Sequence, residues 1–376
     1  LIIEGIKWAR VAKILGVAAG ALAVVGANFI WSGVYNVAAS TDHLSVTTWL
    51  LERVREQSIA TQSLGIDAPA LDDDGMIRLG ASHYEGGCAP CHNRPGSEIN
   101  PIVSGMLPSP PDLEEALEER RPESVYWIVQ HGLKYTGMPA WPSQVRGDEV
   151  WAVTAFLDTL GDLPAGAYPD LAGLRRVQAI ETDAGLGNSS AFQECARCHE
   201  NADLSTNGDR IPRLSGQPIE YLTRSLREYA QRRRPSGVMQ PIAALLDEEE
   251  VRNFATYYSK LSVEPQQLDK EDEARFERGR LIAEQGVPED DIPACNSCHS
   301  ATSSRNFPRL AGQHAEYISV QLHLWQRGGR TGTTFGRIMA PIAQRLSSDQ
   351  IADVAHYYQA ISPETPATAS STEAVR

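Results

Sequence analysis

All six cysteines of this chain fall in copies of one pentapeptide pattern, and that pattern constrains the fold more tightly than any other feature. The copies are Cys88-Ala89-Pro90-Cys91-His92, Cys195-Ala196-Arg197-Cys198-His199 and Cys295-Asn296-Ser297-Cys298-His299. Two thiols three positions apart on one helical turn, followed at once by an imidazole, form the attachment site of a c-type haem. The sulfurs reach the two vinyl groups of one porphyrin, and the histidine meets the iron. A thioredoxin-like pair needs no histidine after its second cysteine, and a four-cysteine zinc site would use two copies and strand the third. Disulfides are the remaining alternative, and three His-terminated copies favour haem over all of them. Three covalent haems c are therefore expected, with His92, His199 and His299 as proximal ligands.

A soft donor is expected on the other side of each iron, since Met paired with His raises the potential in such proteins. The chain has five methionines. Met239 stands 44 residues after Cys195, and Met339 stands 44 after Cys295, each with a proline two residues on. Met138, followed directly by Pro139, lies 50 after Cys88. These three are read as distal ligands, against the commoner fate of Met as core filler. Met76 and Met106 fall at the wrong distances, and Met106 is read as core or loop. Of the other histidines, His131 competes best with Met138, and His83 is expected near the first haem without binding it. Pro212 and Pro308, and the Pro108 to Pro111 stretch in the first unit, are expected to offer the carbonyl that takes the proximal imidazole N–H. No catalytic residue is assigned, because nothing resembles a substrate pocket.

From Ile14 to Thr41 no residue is charged, which exceeds the roughly 20 residues needed to cross a bilayer as helix. Lys7, Arg10 and Lys13 flank it on one side only. The expectation is one retained membrane anchor with a cytoplasmic amino terminus and everything after about Ser40 outside, rather than a cleaved signal peptide. Thr47 to Gln57 reads as a short amphipathic helix, packed on the first unit or lying on the membrane. Breaks are expected at 67–75, 163–168 and 262–272, and a mobile tail from Pro363.

Between those breaks the chain repeats itself. Pro212-Arg213-Leu214-Ser215-Gly216-Gln217 returns as Pro308-Arg309-Leu310-Ala311-Gly312-Gln313, Tyr221 returns as Tyr317, and Tyr257-Tyr258 as Tyr357-Tyr358. Helical periodicity covers Glu220 to Gln231, Glu248 to Leu261, Glu316 to Gln326 and Ser348 to Ile361, and no segment alternates as a strand would. The expected fold is all-α: residues 1–40 as stub and transmembrane helix, 41–75 as helix and linker, then three tandem cytochrome c domains at 76–165, 166–264 and 265–362, and the tail at 363–376.

From about Gly185 to Ser362 the sequence resembles the dihaem cytochrome c-four family, in its two C-x-x-C-H copies, two P-R-L-x-G-Q segments and two late methionines. The first unit, with Gly86-Gly87-Cys88 and Gly132 to Pro139, resembles monohaem domains of membrane-bound cytochrome subunits. The resemblance implies electron transfer in the periplasm, on the bacterial inner membrane. The partners expected are redox proteins: first a haem-copper terminal oxidase in a respiratory chain, alternatively a periplasmic dehydrogenase for an alcohol, sugar or aldehyde. A haem enzyme such as a peroxidase is the third reading, opposed by a methionine in every unit. With 48 acidic against 34 basic residues, the chain's field repels nucleic acid. The basic clusters Arg232 to Arg234 and Arg327 to Arg330 are read as facing haem propionates, a docking partner or plain solvent.

Overall fold

The computed structural model describes residues 8–177, 186, 189–199, 209–262 and 272–362. The tail from Pro363, most of the 262–272 break and Lys7 lie outside the described residues. Thirteen longer helices organise the rest: α1 (Trp8–Ser32), α2 (Ser45–Gln62), α3 (Asp74–Gly87), α4 (Pro122–His131), α5 (Gly147–Asp158), α6 (Ser190–His199), α7 (Ile219–Ala230), α8 (Met239–Leu245), α9 (Glu248–Lys260), α10 (Glu273–Gln285), α11 (Ala315–Gln326), α12 (Thr334–Arg345) and α13 (Ser348–Ala360). Among the described residues the only β pairing is one isolated bridge, Val287 with Ile292, so the all-α reading holds.

The stretch Arg10–Ser32 of α1 is long and apolar enough to cross a membrane, and none of its apolar window is buried. Helix α2 runs five residues past its expected end and docks there: Ile59 is buried, Ser63 Oγ meets Ser124 Oγ at 3.1 Å, and Arg120 pairs with Glu56 at 3.0 Å. Its opening turns keep Trp49, Leu50 and Val54 exposed.

Three larger core clusters follow in chain order. The first gathers Tyr84 from α3, Val129 from α4, and Val153 and Phe156 from α5. Helices α3 and α5 touch backbone to backbone because Gly80 has no side chain; a Cβ there would lie 1.9 Å from the Ala152 carbonyl oxygen. The expected break at 163–168 proves partly wrong, since Tyr168 and Ala172 are buried in this same core and Leu174 packs against it. The break at 67–75 ends early as well: Asp73 caps α3 by accepting from Met76 N–H at 2.6 Å, which draws Asp74 and Gly75 into the helix.

The second cluster joins Phe192 and Ala196 of α6 to Leu222 and to Phe254 and Tyr258 of α9. The third joins α10, α11, α12 and α13 through residues such as Ile282, Leu322, Ala343 and Tyr358. The repeat seen in sequence is also a repeat of local structure. Helix α9 opens with a capping box of Asp247 and Glu250, and α13 with one of Ser347 and Gln350. Gly216 N–H donates to the Tyr258 carbonyl at 3.0 Å, and Gly312 N–H to the Tyr358 carbonyl at 2.8 Å. Both glycines have positive φ, 68° and 73°, which side chains with a Cβ rarely adopt.

Candidate haem-binding sites

Each C-x-x-C-H copy forms a helical turn, at Ala89–His92, at the end of α6, and at Asn296–His299. In each, the histidine Nδ1 lies against a proline carbonyl: His92 with Pro111 at 3.2 Å, His199 with Pro212 at 3.0 Å and His299 with Pro308 at 2.9 Å. These are the partners expected from sequence. A carbonyl can only accept, so Nδ1 carries the proton and Nε2 is left as the ligating atom. Burial lowers the basicity of all three imidazoles, against the opposing pull of the carbonyl, which favours the neutral form that a metal needs.

The second and third clusters share one cavity of about 290 Å³. Its walls include Cys195, Cys198, His199 and Met239 from one repeat and Cys295, Cys298, His299 and Met339 from the other. Met239 opens α8, where its N–H donates to Ser236 Oγ at 3.0 Å. Met339 sits inside α12, two residues before Pro341. In the first cluster, Cys88 and Met138 pack against the same core, while His92 lines a different recess with Tyr84 and Asn93. The loop carrying Met138 closes on itself: a Cβ on Gly132 would lie 2.5 Å from the Pro139 carbonyl carbon, and one on Gly137 would lie 2.2 Å from Met106 Cε. Met76 is core. His131 is exposed beside the Trp127 ring, 5.2 Å between centroids, so it does not share the core position of Met138.

A reciprocal exchange joins the two halves of the large cavity. Arg213 N–H donates to Gln313 Oε1 at 2.9 Å, and Gln313 Nε2 donates to the Arg213 carbonyl at 3.0 Å. The equivalent residues repeat it: Arg309 N–H donates to Gln217 Oε1 at 3.0 Å, and Gln217 Nε2 to the Arg309 carbonyl at 2.8 Å. Such self-complementary pairing is the mark of a two-fold interface. The P-R-L-x-G-Q repeat was visible in sequence; its role as a clasp was not.

The cavity's charge fits a haem. Arg213 is buried, and its Nη1 and Nη2 have no hydrogen-bond partner among protein groups. Burial pulls its basicity down to about 10. A guanidinium left in such a place calls for an anion, and the propionates of a haem are anions of the right kind. Arg234 is buried on the same wall and donates to Ser225 Oγ at 3.0 Å and across the interface to Tyr317 Oη at 3.0 Å. Arg330 lies 4.0 Å over the Trp325 ring. Of the basic clusters, then, Arg234 faces the cavity while Arg232 and Arg233 are exposed.

Contacts between the first and second clusters escaped the sequence reading altogether. Buried Glu149 pairs with Arg146 at 2.7 Å and accepts from Trp141 Nε1 at 3.1 Å, Ser236 Oγ at 2.6 Å and Gly237 N–H at 2.5 Å. Burial raises the Glu149 carboxyl, and Arg146 opposes it. His83, expected near the first haem, lies on the wall of the large cavity, its ring 6.0 Å from that of Trp141.

Residues 75–157 match the family described as cytochrome c oxidase, cbb3-type, subunit III. The thiosulfate dehydrogenase electron acceptor of Thiomonas intermedia is 35% identical over 180 residues, covering 46% of this chain and 82% of that protein. Cytochrome c4 of Pseudomonas aeruginosa is 32% identical over 198 residues, covering 50% of this chain and 94% of that one. The solved cytochrome c4 of Acidithiobacillus ferrooxidans superposes with a TM-score of 0.41 at 32% identity, over 46% of this chain and all of that one.

Proposed function

This chain belongs to the cytochrome c family, and from that premise we propose that it is a three-haem electron relay held at a membrane by α1. Cys88 and Cys91, Cys195 and Cys198, and Cys295 and Cys298 each attach one haem c. His92, His199 and His299 are the proximal ligands, and Met138, Met239 and Met339 the distal ones. The three modules are the domains expected from sequence, with the first extended to about Leu174 by its packing. The observation that carries this reading is the single cavity lined by two cysteine motifs and two methionines and joined by the reciprocal Gln217 and Gln313 contacts.

The haem supplies reversible one-electron chemistry, and the protein supplies distance, ligation and dielectric. Proline carbonyls hold the Nδ1 protons, the apolar walls exclude water, and Arg213 and Arg234 would hold the haem propionates. The modules lie in the periplasm, and the acceptor is a haem-copper terminal oxidase; the likeness of residues 75–157 to an oxidase subunit supports this. The likeness to a thiosulfate dehydrogenase electron acceptor favours a second reading, in which a periplasmic dehydrogenase is the electron donor.

Purification from native membranes in mild detergent tests both. Three haems by intact mass, a complex containing an oxidase, and oxidation of the haems by oxygen only in that complex are the expected results. Fewer than three haems would overturn the three-haem relay. A complex with a dehydrogenase whose substrate reduces the haems would replace the first reading by the second.

A further inference from the structure

The three C-x-x-C-H turns differ in what surrounds them. Cys91 and Cys298 are exposed, while Cys198 is not. The residues between the cysteines differ more: Pro90 and Ser297 are exposed, whereas Ala196 and Arg197 retain 0% and 3% of their surface. The first cluster is what covers the second turn. Arg197 Nη1 donates to the Ser82 carbonyl of α3 at 2.5 Å and lies 3.5 Å from the Ala172 carbonyl. Its Nη2 pairs with Glu194 at 2.8 Å. The fit is close enough that a Cβ on Gly173 would lie 2.2 Å from the Arg197 carbonyl oxygen, and one on Gly86 would lie 3.2 Å from Nη2. A second contact closes the methionine side, where Trp141 packs on Gly237, two residues before Met239, and Glu149 ties the two segments together.

We propose that the first module is a built-in partner docked over the second haem's attachment turn, so that this haem exchanges electrons only with its neighbours in the chain. The inference rests on the three-haem reading above. A protein donor transfers one electron by bringing its own cofactor close to an exposed edge; the donor is oxidised, the haem reduced, and no bond is made or broken. At the first and third turns that approach is open. At the second the space is filled by α3, by the Tyr168 to Gly173 segment and by the Trp141 loop, anchored by a buried guanidinium whose Nη1 donates to backbone carbonyls of the first module. The order along the chain is then linear, with the second haem as the internal link.

The test uses the full-length chain in three single-haem forms, each keeping one attachment turn and carrying Cys→Ala at the other two pairs. Reduction is followed by stopped flow with a reduced monohaem cytochrome as donor, and with dithionite as a small control. The form keeping Cys195 and Cys198 is expected to react with the protein donor at least about ten-fold more slowly than the other two, at similar dithionite rates. Adding Arg197→Ser, the residue of the third turn, with Trp141→Ala is expected to recover the rate. Equal rates with the protein donor in all three forms would overturn the proposal. A measurement on the unaltered holo-protein guards against variants that do not fold: an arginine-directed dicarbonyl, mapped by mass spectrometry, should modify Arg94 and Arg305 and spare Arg197. Modification of Arg197 to the same extent would overturn the docking, whereas a mass with fewer than three haems would overturn only the relay reading on which it builds.

Discussion

The second and third attachment turns sit in duplicated frames and meet opposite surroundings. Each histidine bonds the proline carbonyl of its own P-R-L-x-G-Q segment, and each frame is closed by a glycine N–H on the carbonyl of a tyrosine. Yet Arg197 is buried under α3 while Ser297, at the same place in the pattern, faces outward. Residues inside the repeat shape the turn and orient its ligand. Residues from the first cluster, outside the repeat, decide whether that turn meets solvent.

Breaking the cover of the second turn should have the largest effect. Glu149→Ala would take the buried acceptor from Trp141 Nε1, Ser236 Oγ and Gly237 N–H, although Arg146 keeps Asp148 at 2.7 Å, and each buried donor left unsatisfied costs about 1–3 kcal/mol; equilibrium denaturation should register that loss, and one below about 1 kcal/mol would contradict the role given to this junction. Gly237→Ala comes next. Its Cβ would lie 2.1 Å from Trp141 Nε1, and overpacking of this kind costs about 1–3 kcal/mol, again without touching the third turn. A pH effect separates the two turns further. Burial, reinforced by Arg146 and Arg197, pulls His83 down to about 3 from its ordinary 6.5. The unfolded chain therefore takes up this proton first. The contribution of neutral His83 is fully present above about pH 6.5 and is lost toward pH 3, by up to about 1.4 kcal/mol per pH unit. Melting curves across that range should flatten in His83→Phe. The smallest change tests the symmetry itself: Gln217→Ala and Gln313→Ala should each cost about 1–2 kcal/mol and differ by less than about 0.5. A large inequality would mean that the two limbs of the clasp are not equivalent.

Much of this was legible in sequence because it is local or periodic. The cysteine pattern and the duplicated segments name the proline partners of the imidazoles, and the helical period names α7, α9, α11 and α13 to within a residue or two. The larger omissions are contacts between clusters. Arg197 reads as a neutral filler within its motif, and Glu149 as one more acid in the first turn of α5, because nothing in their neighbours announces a partner 115 or 87 residues away in the chain. Tyr168 was misjudged for a related reason: Pro, Gly and Ala around it signal a break, but its ring is buried against Tyr84 and Phe156 and its hydroxyl donates to Glu85 at 2.7 Å. Gln217 and Gln313 show the intermediate case. Their recurrence was plain, and only geometry revealed that each reaches into the other's half.

That exchange of glutamines has a consequence for how such a chain can change over time. In a dimer of identical subunits, one substitution at the axis alters both limbs at once. In a fused duplicate the axis survives as geometry while the two limbs become separate letters in the text. One side of the molecule can acquire Arg197 and accept a lodger, the other can keep Ser297 and an open face, and the frame that spaces the two centres does not have to be rebuilt.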